Sequence, residues 1–299
     1  MLATLKGIGN DVKGVTSVGE ALERHGMDWT VEKRPTFFKK NDGTDAQMGT
    51  SFATVRSDNE TMLGRVGGDY VPMSNVDALK HVDALIASGI ATLDSVFELK
   101  GGKRVGASLS LKESISIAGE DLINMYIVVM TSHDGTKADV TAITPIRMFC
   151  TNQMALITRE ARQSWSVRHL STMADNLKLV EDELKMITNY SAWLKRTGED
   201  LINKTLSEIE LQGVLQDALS FVNEKDRKTK MINEITGVFS TSPLIGEQFR
   251  GTAWAGLNAA TEYMDHHRNY RTATARYNAI TYGVGARVRD NVTKALISL

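Results

Sequence analysis

Along the first half of the chain, apolar and polar residues alternate over short stretches, whereas the second half repeats apolar residues at helical spacing. "DWTVEKR" alternates in strand fashion, and Pro35 is expected to close that strand. "SFATVRSDNETMLGRVGGDYVPM" holds two more strands around a turn at Ser57, Asp58 and Asn59. "ATLDSVFELKGGKRVGASLSL" predicts a hairpin about Lys100, Gly101, Gly102 and Lys103, because glycine accepts the positive φ that short turns need. "DLINMYIVVMTSHDGTKADVTAITPIRM" predicts a second hairpin about Asp134 and Gly135.

Two helices interrupt these strands. "TSVGEALERHG" offers an N-cap oxygen at Thr16 or Ser17, Glu20 at capping-box spacing and Gly26 as a stop. "SNVDALKHVDALIASG" predicts one amphipathic helix, capped by Ser74 or Asn75, lined by Val76, Leu79, Val82 and Ile86, and ended by Gly89. From Asn152 onward long helical stretches dominate, with Pro243 marking a loop between them. Consecutive strands joined by tight turns make the fold α+β with an antiparallel sheet, not βαβ. The expected organisation is an α+β core over 1–150 and a mainly helical part over 151–299, packed as one body.

The 299 residues suffice for a sizeable core, and 42% hydrophobic with 24% charged residues matches an ordinary globular protein. No apolar run approaches the roughly 18 residues of a membrane span, so no membrane association is expected. The first residues lack the pattern of a signal peptide, and a single cysteine, Cys150, fits a reducing cytoplasm. The net charge of −1 argues against a generally basic coat, but its distribution is uneven. Segments 145–170 and 250–299 are rich in arginine, whereas 171–249 is acidic in balance.

Candidate chemistry is sparse. His133 and Asp134 look like a catalytic pair, but neighbours on an extended chain point to opposite sides, and "SHDG" suits a turn. Cys150 lies near Arg147 where a strand enters a helix, without the context of a nucleophilic cysteine; a small buried residue is the simpler reading. "YMDHHR" is similar to the motif of the DHH phosphoesterases, but His266 and His267 are adjacent on a helical pattern, about 100° apart. Neither "GRVGGDYVP" nor "YGVGARVRDN" has the spacing of a phosphate-binding loop. The expectation is therefore a protein that is not an enzyme and holds neither metal nor cofactor.

Single-stranded nucleic acid is held by cations that track phosphates and aromatic rings that stack on bases. Three segments interleave these residue types. The first hairpin tip carries Lys100, Lys103 and Arg104. Arg147 is followed by Arg159, Arg162, Trp165 and Arg168. The C-terminal stretch carries Arg268, Tyr270, Arg271, Arg276, Arg287 and Arg289. Taken singly, each aromatic is as well suited to core packing; the recurrence carries the candidate.

The segments "GMDWTVEKRP", "ATVRSDNETMLGRVGGDYVPMSN", "GGKRV", "SHDGTKADVTAITPIRMFCTNQM", "VRHLSTM" and "GTAWAGLNAATEYMDHHR" together resemble the phage/plasmid-like family catalogued as a domain of unknown function (number 932). They span nearly the whole chain in order. One departure is Thr151, Asn152 and Gln153 where the family commonly has Asn-Thr after the cysteine. The resemblance implies an origin in phages, prophages or plasmids and brings no activity to individual residues. The order of elements is also similar to that of phage single-strand annealing proteins, which implies rings or filaments holding DNA in a basic groove. The resulting expectation is a homo-oligomeric protein of DNA metabolism in the host cytoplasm, binding single-stranded DNA and serving strand-annealing recombination. The alternatives are a non-enzymatic structural or host-interaction protein, and a metal-dependent nuclease using His133, Asp134, His266 or His267.

Overall fold

The computed structural model describes residues 9–136, 139–147, 164–167, 173–281 and 283–299. Strand β1 (Gly9–Asp11) leads to α1 (Val18–Arg24). The Ser17 hydroxyl there accepts the Glu20 amide, while the Glu20 carboxylate takes the Thr16 amide. Gly26 follows the helix with φ +62°, as its position in the sequence requires.

Strands β2 (Val31–Lys39), β3 (Asp45–Arg56) and β4 (Met62–Val66) form a three-stranded antiparallel sheet. Pro35 does not end β2, contrary to the sequence reading. β2 is the outer strand, where a missing N–H can face away from the ladder, and a register shift between Pro35 and Phe37 accommodates the ring.

The predicted helix after Ser74 is two helices, α2 (Asn75–Leu79) and α3 (Val82–Ala87). At the break the amides of Asp83 and Ala84 bond back three residues, to the carbonyls of Lys80 and His81. A long-range contact and a local one hold the break: the Asp83 carboxylate accepts the Val18 amide at 2.8 Å, and the buried His81 ring bonds through Nδ1 to the Ala78 carbonyl three residues back.

The larger sheet adds β5 (Ala91–Leu99), β6 (Arg104–Ile117), β7 (Asp121–Ser132), β8 (Asp139–Arg147) and β9 (Ser164–Val167), in the order β1-β5-β6-β7-β8-β9. All neighbours are antiparallel. The fold is thus α+β, as expected, although β9 carries the sheet past residue 150. Alternation sorts the sheet's side chains: Ile127 and Val129 enter the main core, whereas Val128 and Met130 enter a smaller cluster with Phe97, Leu99 and Tyr277.

The helical half comprises α4 (Met173–Ile202), α5 (Glu208–Ala218), α6 (Lys225–Thr241), a 3-10 turn (Glu247–Phe249), α7 (Ala253–Glu262), a π-helical turn (Tyr263–His267), α8 (Ala273–Thr281) and α9 (Val284–Ile297). All ten residues of α7 are buried. Its small side chains permit this: a Cβ on Gly256 would lie 2.7 Å from Leu206. Trp254 of α7 reaches the sheet, donating from Nε1 to the buried Asp121 Oδ2 at 2.9 Å. Among the described residues no helix is long and apolar enough to cross a membrane.

Candidate nucleic-acid interface

The C-terminal basic segment is organised by the π-helical turn that ends α7. The Arg268 amide bonds to the carbonyl of Tyr263, five residues back, and Arg268 then leaves the helix in extended conformation. Such single π-turns insert a residue and re-aim the chain beyond it, and they occur often at functional sites. Here the turn buries Asp265 and Glu262 and leaves His266 and His267 exposed.

Each buried acid has a partner. Asp265 Oδ1 pairs with Arg289 Nη1 at 3.2 Å, with both side chains at most 2% exposed. Arg289 also donates from Nη2 to the Ile280 carbonyl, tying α9 to α8. Glu262 accepts the Ser242 hydroxyl and lies 3.1 Å from His267 Nε2. Among the described residues no three His, Cys, Asp or Glu side chains gather in a way that would ligate a metal.

Tyr270 is the centre of the arrangement. Its hydroxyl donates to the Met264 carbonyl at 2.8 Å, and Arg268 stacks over its ring with the guanidinium carbon 5.6 Å from the centroid. Arg276 of α8 donates to the Asp265 carbonyl at 3.0 Å. Burial pushes the Tyr270 hydroxyl pKa upward, assisted by Asp265 and opposed by Arg268, Arg289 and Arg276. Of these, Arg268 is the one packed on the half-buried ring. Beyond them Arg271 is exposed, and Arg287, also exposed, lies 4.1 Å over the Phe221 ring.

The hairpin tip lies at the end of the sheet that α8 covers. Tyr277, next to Arg276, packs 5.9 Å from Phe97 in the cluster that includes Leu99, the residue before Lys100. The tip and α8 thus border one apolar cluster, while Gly102 of the tip lies close to Trp29 and Arg56. Lys100 is exposed, at φ +55°, and Gly101 and Gly102 continue with positive φ. Lys103 is half-buried, and its carbonyl accepts the His133 amide at 2.9 Å. Arg104 is 7% exposed, so its charge serves the interior and not an open surface.

Of the remaining candidates, Arg147 and Trp165 lie in β8 and β9, at register positions opposite Ile123 and Thr141. Arg159, Arg162 and Arg168, like Cys150, lie outside the described residues. Arg289 is placed as a buried structural cation, not as a group open to a strand. The open part of the described candidates is Lys100, Lys103, Arg268, Tyr270, Arg271, Arg276 and Arg287.

The "SHDG" stretch forms the expected turn, with Gly135 at φ +72° and Asp134 Oδ1 accepting from Ser132 and Thr136. The His133 ring is not locally bonded. It is buried, edge-on to Trp29 with centroids 5.4 Å apart, and bonded to Asn75. Burial lowers its pKa to about 4; Asp134 opposes the shift and Arg56 assists it. Arg56 itself covers the Trp29 ring at 4.2 Å and pairs with Asp58 and Glu98. This junction of the two sheets is structural.

Fold and candidate site together define a two-sheet antiparallel α+β protein closed by a helical half, with arginines gathered along the π-turn and the start of α8. A family model described as "Domain of unknown function (DUF932)" matches residues 62–281, and the chain belongs to that family. No curated protein and no solved structure matches it.

Proposed function

We propose that this protein binds single-stranded DNA as a homo-oligomer, in the DNA metabolism of a mobile element within the host cytoplasm, with strand annealing as the reaction it serves. The observation that carries the reading is the half-buried Tyr270 ring with the Arg268 guanidinium packed over it, next to the exposed Arg271 and the half-buried Arg276. Cations beside an accessible ring suit a backbone of phosphates bearing stackable bases. The role is one of binding, and no residue is assigned to catalysis.

The test is titration of the purified chain with a labelled oligonucleotide across salt concentrations. Binding that weakens steeply with salt is expected, because each phosphate contact releases counterions. Absence of binding at low salt overturns the reading. A second reading, a structural or host-interaction protein, is favoured by Ile209, which is 81% exposed between Glu208 and Glu210. A hydrophobic side chain on an acidic helix start suits a basic protein surface.

A further inference from the structure

The distal half of the β2–β3 ribbon projects from the small sheet, with almost every residue from 36 to 50 exposed or half-buried. Register there is regular: Phe37 faces Gln47, Phe38 faces Ala46 and Lys39 faces Asp45. Adjacent strand residues point to opposite faces. Phe37 and Phe38, 56% and 51% exposed, therefore place one ring on each side of the ribbon. Among the described residues, none covers either ring to the extent expected of a core phenylalanine.

The ribbon is nevertheless built to hold its shape. At the tip the Lys40 amide bonds to the Thr44 carbonyl, the Gly43 amide to the Lys40 carbonyl, and Asp42 Oδ1 accepts both the amide and the hydroxyl of Thr44. Asp45 is occupied by Lys39 at 2.9 Å. Both acids of the tip are thus engaged within the ribbon, while the lysines at 39 and 40 come directly after the two rings. Nearer the body, Arg34 is tied to Glu32 and Glu60, and the Lys33 ammonium is held by the carbonyls of Gly68 and Tyr70.

We infer that this ribbon is a second contact for single-stranded nucleic acid, with Phe37 and Phe38 stacking on bases and the exposed Lys40 reaching a flanking phosphate. The inference rests on the proposed function and extends it to a new site. Size decides between occupants. Two half-exposed rings offer about 200 Å² of apolar surface, against about 800 Å² per partner in a stable protein interface. That area is small for a protein or a second copy, yet it matches the face of one or two bases. A preformed ribbon also loses little conformational freedom on binding.

The test compares the full-length chain with the variant Phe37→Thr/Phe38→Thr. Threonine keeps β propensity, and both positions lie outside the core, so an unchanged melting midpoint is the folding control. Each protein is titrated with oligothymidine and with an abasic strand of equal length, about 30 nucleotides, enough to span several stacking sites. Wild type should prefer the base-bearing strand by about tenfold or more. The variant should lose most of that preference and keep its salt dependence. A variant that keeps the preference overturns the ribbon contact and leaves the proposed function standing. No binding of either strand by wild type overturns both. A variant that binds DNA normally but loses self-association assigns the ribbon to a second copy and overturns the inference.

Discussion

His133 Nε2 lies 2.6 Å from Asn75 Oδ1, and this bond between residues 58 positions apart joins the turn of one hairpin to the start of α2. The Asn75 Nδ2 group donates to the carbonyls of Met27 and Trp29, so its oxygen must be the acceptor. His133 is therefore the neutral tautomer with its proton on Nε2. Replacing Asn75 with Ala removes the acceptor of a buried imidazole and leaves two carbonyls short of donors. A loss of about 2–4 kcal/mol is expected, read as a lower urea midpoint at an unchanged m-value.

The two buried histidines should weaken the fold as pH falls below their ordinary value of 6.5. Burial lowers His133 and His81 to about 4 from the ordinary 6.5. The unfolded chain binds more protons than the folded one between these values. Stability is thus full above pH 6.5 and falls as pH drops toward 4, by about 3 kcal/mol for each histidine. Asp290 works against this: burial raises it to about 6 from 3.8, so the folded state gains stability as pH falls through 6. His133→Gln, which keeps a donor for Asn75, should flatten the pH profile, whereas Asp290→Asn should steepen it. Chemical denaturation at several pH values checks both.

Asp290→Asn should also stabilise the protein at about pH 8, where the carboxylate is ionised. One of its oxygens is buried with no hydrogen-bond partner among the described residues, and the substitution removes its charge. Allowing for solvent screening of a partly exposed group, the gain should be about 1 kcal/mol. A melting midpoint equal to or below that of wild type would contradict this.

The Asp265–Arg289 pair should behave as a unit. Arg289→Met alone strands a buried carboxylate and should cost about 3–5 kcal/mol. Asp265→Asn with Arg289→Met should cost less than the sum of the single changes. A double-mutant cycle measures the difference, and additivity would mean that the two groups do not depend on each other.

Gly64→Ala should separate the sheets. A Cβ there would lie 2.5 Å from the Asp134 backbone, where β4 meets the second hairpin. Neither backbone can yield cheaply, so a loss of about 2 kcal/mol or more is expected by calorimetry. By contrast, Arg271→Glu lies on the open surface and should leave stability alone. It should lower the salt slope of oligonucleotide binding by about 1.

Much of the fold is legible in the sequence because it depends on neighbours in the chain. The alternation of β5 to β8, the glycine-bearing tips at 101 and 135 and the Ser17 cap are local signals, and each stands where the pattern puts it. The illegible parts depend on distant partners. The break between α2 and α3 is held by Val18, and the passage of β2 through Pro35 requires knowing that β2 is an outer strand. The π-turn has no periodic signature, and the Asp265–Arg289 pair within it joins residues far apart in the chain. The candidate site is half legible for the same reason: an arginine-rich segment is visible as composition, but Arg289 and Arg271 look alike until one is buried and the other is not.

A helix with no wet side, such as α7, fixes how the gene can be divided. Trp254 reaches Asp121, and its neighbours complete the same core that β6 and β7 begin. A fragment ending near residue 150 would be translated with that core open and one buried acid lacking its indole partner. Expression of the two halves together, but not of either alone, should yield material that stays in solution. The point at which the chain changes character is a boundary in composition, and α7 packs across it onto the sheet through Trp254 and Asp121.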